Sequence, residues 1–225
     1  MVRKIYVTYN DVHKLCQESA PYILDNFKPH LMIAIGGGGF IPARILRSFL
    51  KTPGSPNIPI QAIGLSLYEK LPSKTTNGSS SSSANGAVEE EEHDDVVEEA
   101  GTQVTRTQWL DMSALGELSN LVGKKVLIVD EVDDTRTTLE YAVRELEKDV
   151  EEARAKMGSE AKTEFSIFVL HNKDKPKKGH LPDDILNGRY LAARTVGDEW
   201  ICYPWEAGDI DQHDKMAEEA KKEQV

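Results

Sequence analysis

The chain has 225 residues and a formal net charge of −11 at pH 7, a length that suits one α/β domain with a large core. Eight acidic residues fall in one run between Glu89 and Glu99, and without them the net charge is near −3; neither balance suits a protein whose main partner is nucleic acid or an anionic membrane. MVRKIYVTYN at the start lacks the apolar core of a signal peptide, no stretch approaches transmembrane length, and Cys16 and Cys202 form neither a metal spacing nor a disulfide framework, so a cytoplasmic protein is expected.

In chain order, Asn10 is placed to cap a helix. After it Val12, Leu15, Cys16, Ser19, Tyr22, Ile23 and Phe27 recur at three and four residues, the spacing of an amphipathic helix on a core. Pro21 should bend or shorten that helix. Leu31 to Ile35 is a short apolar run, followed by Gly36, Gly37, Gly38 and Gly39. A helical pattern from Ala43 to about Leu50 comes next, with Pro42 suited to its first turn. Four glycines let backbone N–H groups approach an anion with no side chain between. The loop is not a dinucleotide fingerprint, since Ile41 stands where the third glycine belongs. Nor is it a Walker A loop, since no Gly-Lys-Ser/Thr closes it.

Pro59 to Tyr68 reads as the next strand. From Glu69 to about Gly101 periodicity is lost through a Ser-, Asn- and Gly-rich tract and then the acidic run. Such a composition cannot bury a core, and disorder is expected. GTQVTRTQWLD (101–111) regains a strand-like pattern. The tract is therefore an insertion within a single domain, 1–206, which a charged tail over 207–225 follows.

The chemistry concentrates at KVLIVDEVDDTRTT, Lys125 to Thr138. Val126 to Val129 form a continuous apolar run, as in a strand buried on both faces of a parallel sheet. Four carboxylates (Asp130, Glu131, Asp133, Asp134) then fall within five residues. Thr135, Arg136, Thr137 and Thr138 lead into a helix expected over about 137–157. Ligands bind at such strand ends in open α/β sheets, and helix N-termini hold phosphate. Carboxylates repel phosphate, so the two halves of the loop must serve different parts of one ligand. A phosphorylated sugar satisfies both: acids take hydroxyls or a metal, and the Thr-rich turn takes the phosphate. The competing reading is an acidic cap on an ordinary βα turn. Phe165 to Leu170 is the next buried strand, HNKDKPKK (His171 to Lys178) follows it, and WICYPWE (Trp200 to Glu206) is the last aromatic-rich stretch.

VLIVDEVDDTRTT resembles the PRPP-binding signature of the phosphoribosyltransferases, GGGGFIPARIL the pyrophosphate loop of the purine enzymes, and WICYPWE their purine-binding hood. With LYE, RTQW and HNKDKP added, the likeness is to fungal hypoxanthine and xanthine–guanine phosphoribosyltransferases. It implies the type I phosphoribosyltransferase fold: α/β, an open mainly parallel sheet flanked by helices, with a small hood (171–206) and a flexible lid (69–103). The implied reaction is transfer of phosphoribosyl from PRPP to hypoxanthine, guanine or xanthine, with Mg2+, in a homodimer or homotetramer.

By the same resemblance Asp130 and Glu131 grip the ribose hydroxyls or the metal, and Asp134 is the base. Thr135 to Thr138 hold the 5′-phosphate, Gly36 to Gly39 hold pyrophosphate, and Ser66 and Tyr68 belong to the lid. Lys173 meets the six-position oxygen of the purine, Trp200 stacks on the base, the Ile201 backbone reads its edge, and Glu206 approaches the metal. Three departures stand out. Gly37 occupies a place where several members carry Lys or Arg, which leaves Arg44, Lys70 or Arg106 to supply charge. Arg136 replaces a usual glycine, and Ser66 and Tyr68 are one residue further apart than the family's Ser-Tyr pair. Two rival readings remain, a PRPP-sensing regulator without catalysis and a phosphoribosyltransferase for another nucleobase.

Overall fold

The computed structural model describes residues 3–66, 104–110 and 121–222. The first strand, β1 (Lys4–Tyr6), leads into helix α1 (Tyr9–Asn26). Thr8, not Asn10, is the N-cap. Its hydroxyl accepts from the Asp11 N–H while the Asp11 carboxylate accepts from the Thr8 N–H, a capping box whose loss costs ~1 kcal/mol. Pro21 does not shorten the helix. It lies on the solvent face, as does Gln17, so the carbonyl one turn back that loses its partner is open to water.

Then come β2 (Leu31–Gly36), α2 (Phe40–Phe49), β3 (Ile60–Ser66) and β4 (Thr105–Gln108). After them follow β5 (Lys125–Asp133), α3 (Thr137–Met157), β6 (Glu164–Lys173), α4 (Asp183–Gly188) and β7 (Tyr190–Val196). The chain closes with β8 (Trp200–Cys202), a 3-10 turn at Pro204–Glu206 and α5 (Ile210–Lys222). Tyr68, Lys70 and the expected lid over 69–103 lie outside the described residues.

Six strands form one sheet in the order β4-β3-β2-β5-β6-β7, parallel except for the antiparallel pair β3–β4. Side chains alternate across it. Ile33, Ile35, Ile128 and Val169 pack with Leu139, Val143 and Leu146 of α3, while Met32, Ala34, Leu127 and Phe168 pack with Ile23 of α1 and Leu46 of α2. Apolar residues on both faces explain why β2 and β5 read as unbroken hydrophobic runs. Each buried Leu, Ile or Val contributes roughly 1.5–3 kcal/mol.

A second, two-stranded parallel sheet pairs β1 with β8. The segment after residue 206 is not simply a charged tail: α5 docks on this small sheet. Buried His213 bonds its Nε2 to the Val7 carbonyl at 2.9 Å and meets the Tyr6 ring edge-on. Among the described residues no helix is long and apolar enough to cross a membrane.

Candidate active site

The chain leaves β2 toward β3 on one side of the sheet and leaves β5 toward β6 on the other. The crevice beyond the carboxyl ends of β2 and β5 is thus the topological switch point, where open α/β sheets bind ligands. The Gly36 to Gly39 loop and the acid-rich segment face each other there. A cavity of about 240 Å³ opens between them. Gly36 and Gly37, Ser66, Asp130, Glu131 and Asp134 line it, with Thr135, Arg136 and Thr138 from the following turn.

Gly38 is required by close approach: a Cβ there would run into the Glu131 carboxylate. Gly37 has nothing within 4 Å of its notional Cβ, so its missing side chain leaves open space toward the cavity. The substitute cations weighed from sequence do not fill it. The Arg106 guanidinium lies 4.0 Å over the Trp109 ring and bonds Tyr141 and Glu145. Arg44 bonds Ser48 on the exposed face of α2.

Three of the four acids lie on a strand and only Asp134 follows it. Strand β5 runs on to Asp133 because β6 is equally long, pairing Val132 with His171 and Asp133 with Asn172. Asp130 and Glu131 sit side by side at the cavity. Burial, and next the charge of Glu131, push the Asp130 carboxyl well above the usual carboxylate range. Among the described residues Glu131 Oε2 is buried without a hydrogen-bond partner. Two crowded, underpaired carboxylates are a fit for a hard cation. Among the described residues no group of three or more His, Cys, Asp or Glu could hold a metal. The pair therefore suits an ion that completes its shell with substrate oxygens, as Mg2+ does. Glu206, on the 3-10 turn, does not join them in a three-ligand cage; its charge acts on Tyr203, whose hydroxyl donates to the Glu131 carbonyl at 3.0 Å.

Asp133 faces inward. It is fully buried and accepts from Arg136 Nε (3.0 Å) and Nη2 (2.8 Å) and from the Tyr190 hydroxyl (2.7 Å). The resemblance places Arg136 with its threonine neighbours at the 5′-phosphate; its guanidinium is committed to Asp133 instead, which leaves only its backbone for that role. Arg136 holds a left-handed φ of 67° at the N-cap of α3. What remains for an anion is the backbone of the turn, with the Thr135 and Thr137 hydroxyls 3.1 Å apart and the free N–H groups of the first helical turn.

Asp134 sits between two ammonium groups, Lys175 Nζ at 2.5 Å and Lys173 Nζ at 3.4 Å. Lys175 also reaches Asp198 at 2.8 Å; burial works against its charge, but the two carboxylates outweigh that and raise its pKa. Lys177 donates to the carbonyls of Asp133 (2.6 Å), Asp134 (3.0 Å) and Lys173 (2.8 Å), which uses all three protons of its ammonium and pins the acid-rich turn to the end of β6. Lys175, Lys177 and Asp198 were not singled out from sequence, and Asp133 was counted only as one of four acids. The signal that could have found three of them was present: a basic run following β6 and an acidic run ending β5 occupy neighbouring parallel strands.

His171, at the same strand end, points elsewhere. It is buried, with Nδ1 2.9 Å from the Tyr203 hydroxyl. Burial, and next the charge of Arg194, push its pKa down to about 4.

The hood residues divide. Trp200 is 53% exposed and lies outside the cavity between the Gly loop and β5. The Ile201 side chain is buried in the core. The β1–β8 ladder uses the Trp200 N–H and the Cys202 carbonyl, so alternation turns the backbone groups of Ile201 away from β1. The hood is tied to the acids through Asp198, 3.8 Å from Lys173, and through Tyr203, on which Trp205 stacks at 4.7 Å.

No protein-family model matches the chain. It is 56% identical over 222 residues to the hypoxanthine-guanine phosphoribosyltransferase of Saccharomyces cerevisiae, covering 95% of this chain and 90% of that one. It is 54% identical over 218 residues to xanthine phosphoribosyltransferase 1 of the same yeast, covering 95% of each. Among solved structures, a hypothetical protein from Neisseria gonorrhoeae with bound ppGpp superimposes with a TM-score of 0.69 at 36% identity, covering 98% of both chains.

Proposed function

The chain belongs to the purine phosphoribosyltransferases, enzymes of purine salvage that move a phosphoribosyl group from PRPP to a purine base, and from that premise we propose that its bases are the 6-oxopurines. The observation that carries the proposal is the spacing of Lys173 Nζ and Asp134 Oδ2, 3.4 Å apart. A 6-oxopurine presents its six-position oxygen and N7 as neighbours on one edge. A donor and a proton acceptor at this separation complement that edge. Adenine would turn the hydrogens of its amino group toward an ammonium.

In this reading the cavity at the switch point takes PRPP. The Thr135–Thr138 turn holds the 5′-phosphate through helix N–H groups. Asp130 and Glu131 take the ribose hydroxyls and hold Mg2+. The backbone amides of the Gly36 to Gly39 loop take the pyrophosphate. When bound, Mg2+ supplies charge neutralisation for the leaving pyrophosphate. The imidazole-ring nitrogen of the base attacks C1 of ribose as the bond from C1 to pyrophosphate breaks. The carboxylates of Asp130 and Glu131 face the positive charge that develops on the sugar. Asp134 accepts the proton that the ring sheds. An ammonium 2.5 Å away competes for the same lone pair, so Lys175 must move its charge to Asp198, its second partner, for Asp134 to act. Trp200 offers its exposed ring as the platform for the base, and Ile201 offers its backbone groups to the base edge. Ser66 closes the β3 side of the cavity, and Tyr68 with residues 69–103 is assigned to the lid.

The proposal is tested by incubating the protein with PRPP, Mg2+ and each nucleobase in turn and measuring pyrophosphate. Release with hypoxanthine, guanine or xanthine, and none without base, is expected. PRPP binding without release for any base would identify a regulator instead, and release with adenine or a pyrimidine alone would identify another salvage enzyme.

A further inference from the structure

A second cavity, of about 290 Å³, lies on the far side of the hood between β1, α1, β7 and α5. Its charge runs against that of the protein. Lys4, Lys14, Arg194 and Lys221 line it with only two acids, Asp11 and Glu18, in a chain of net charge −11. Both acids are already paired, Glu18 with Arg194 at 3.1 Å and Asp11 with Lys221 at 3.0 Å. Among the described residues Lys4 and Lys14 form no ion pair. Lys4 and Lys14 therefore bring two positive charges without an ion-pair partner to the lining of one concavity, with Arg194 beside them.

The cavity also reaches a buried polar group, the imidazole of His171. Its Nδ1 contacts the Tyr203 hydroxyl, whose single proton is given to the Glu131 carbonyl. Nδ1 must then carry the imidazole proton and donate it to the Tyr203 oxygen. In that tautomer Nε2 has no proton and is an acceptor, and it has no hydrogen-bond partner among the described residues. The lining thus brings cations and a hydrogen-bond acceptor together. An anion that also carries a hydroxyl satisfies both, and a phosphate retaining one proton is the simplest such group.

We propose that this cavity is a second phosphate-recognising site, separate from the PRPP cavity, for a small phosphorylated metabolite. Lys4 and Lys14 neutralise the phosphate, and His171 accepts a hydrogen bond from a hydroxyl of the ligand. The same ring holds Tyr203 against Glu131, so the ligand would sit one hydrogen-bond relay from the acids at the PRPP cavity. The binding claim rests only on the geometry of this cavity and does not depend on the assignment of the reaction.

The test uses the 15N-labelled full chain and follows the histidine ring signals while inorganic phosphate is titrated; phosphate held in the other cavity is told apart because neither Lys4 nor Lys14 lines that cavity. The His171 signal is identified by its loss in His171→Gln. A saturable shift of that signal is expected, with binding weakened about tenfold or more in Lys4→Ala/Lys14→Ala, as loss of two charge-assisted contacts requires. The double variant should keep wild-type turnover, which also shows that it folds. Absence of a saturable His171 shift, or the same affinity in the folded double variant, overturns the proposal.

Discussion

Arg136→Gly sets two effects of known size against each other. Arginine at a φ of 67° carries the left-handed penalty of roughly 1–2 kcal/mol, which glycine does not. The same substitution removes both hydrogen bonds to Asp133, a carboxylate with no exposed side-chain surface. Breaking a buried charge pair costs about 3–5 kcal/mol. The lower end applies here, because the Tyr190 hydroxyl and Lys177, at 3.6 Å, still face Asp133. The net expectation is a loss of about 1–2 kcal/mol. For a chain of this length that lowers Tm by roughly 2–8 °C. Thermal and urea unfolding of wild type and Arg136→Gly would read it. Repeating the change in an Asp133→Asn background should make it neutral or stabilising, since only the backbone penalty then remains. If Arg136→Gly alone is as stable as wild type or more so, the Asp133 pair does not hold this turn and the reasoning fails.

Asp134→Asn keeps the shape of the base and removes its proton affinity, so turnover should fall ~10²–10⁴-fold with PRPP binding largely kept; equal turnover would remove Asp134 from the mechanism. Trp200→Ala should raise the KM of every base and spare that of PRPP. Because the ring is half exposed, Tm should barely change; a defect confined to PRPP would refute the platform role. His171 has a folded-state pKa depressed to about 4 from the ordinary 6.5. The unfolded chain therefore binds the extra proton first as pH falls. The stability that His171 contributes is complete above about 6.5, falls by up to ~1.4 kcal/mol per pH unit below it, and is gone near pH 4. Urea midpoints across that range should show less slope in His171→Gln; an unchanged slope would mean the imidazole is not held neutral.

The sheet and both ligand-facing segments were legible because their signals are local. The apolar runs of β2 and β5 and the helical spacing of α3, read as 137–157, need no tertiary information. The glycine loop and the acids were joined as parts of one site by resemblance, and the pairing of β2 with β5 brings both to one crevice. What stayed hidden depends on register. Nothing local distinguishes Asp133, turned to the interior, from Asp134, turned to the lysines; the end of β5 at Asp133, paired with Asn172 of β6, decides it. The same register brings Lys175 and Lys177 to the acids, whereas their own sequence reads as a solvated basic turn. Asp198 matters only because β7 and β8 carry it over β6. The helix over 210–222 was missed because its outward face is charged and only His213 and Ala217 are buried, too sparse an apolar stripe to announce a packed element.

The most direct test of the central claim is kcat/KM for hypoxanthine and adenine in wild type and in Lys173→Gln. The Lys173–Asp134 pair predicts that wild type favours hypoxanthine by at least about a hundredfold. A side-chain amide can offer either a donor or an acceptor, so the variant should narrow that preference by roughly ten- to a hundredfold. Equal use of adenine by wild type, or an unchanged preference in Lys173→Gln, would contradict the account.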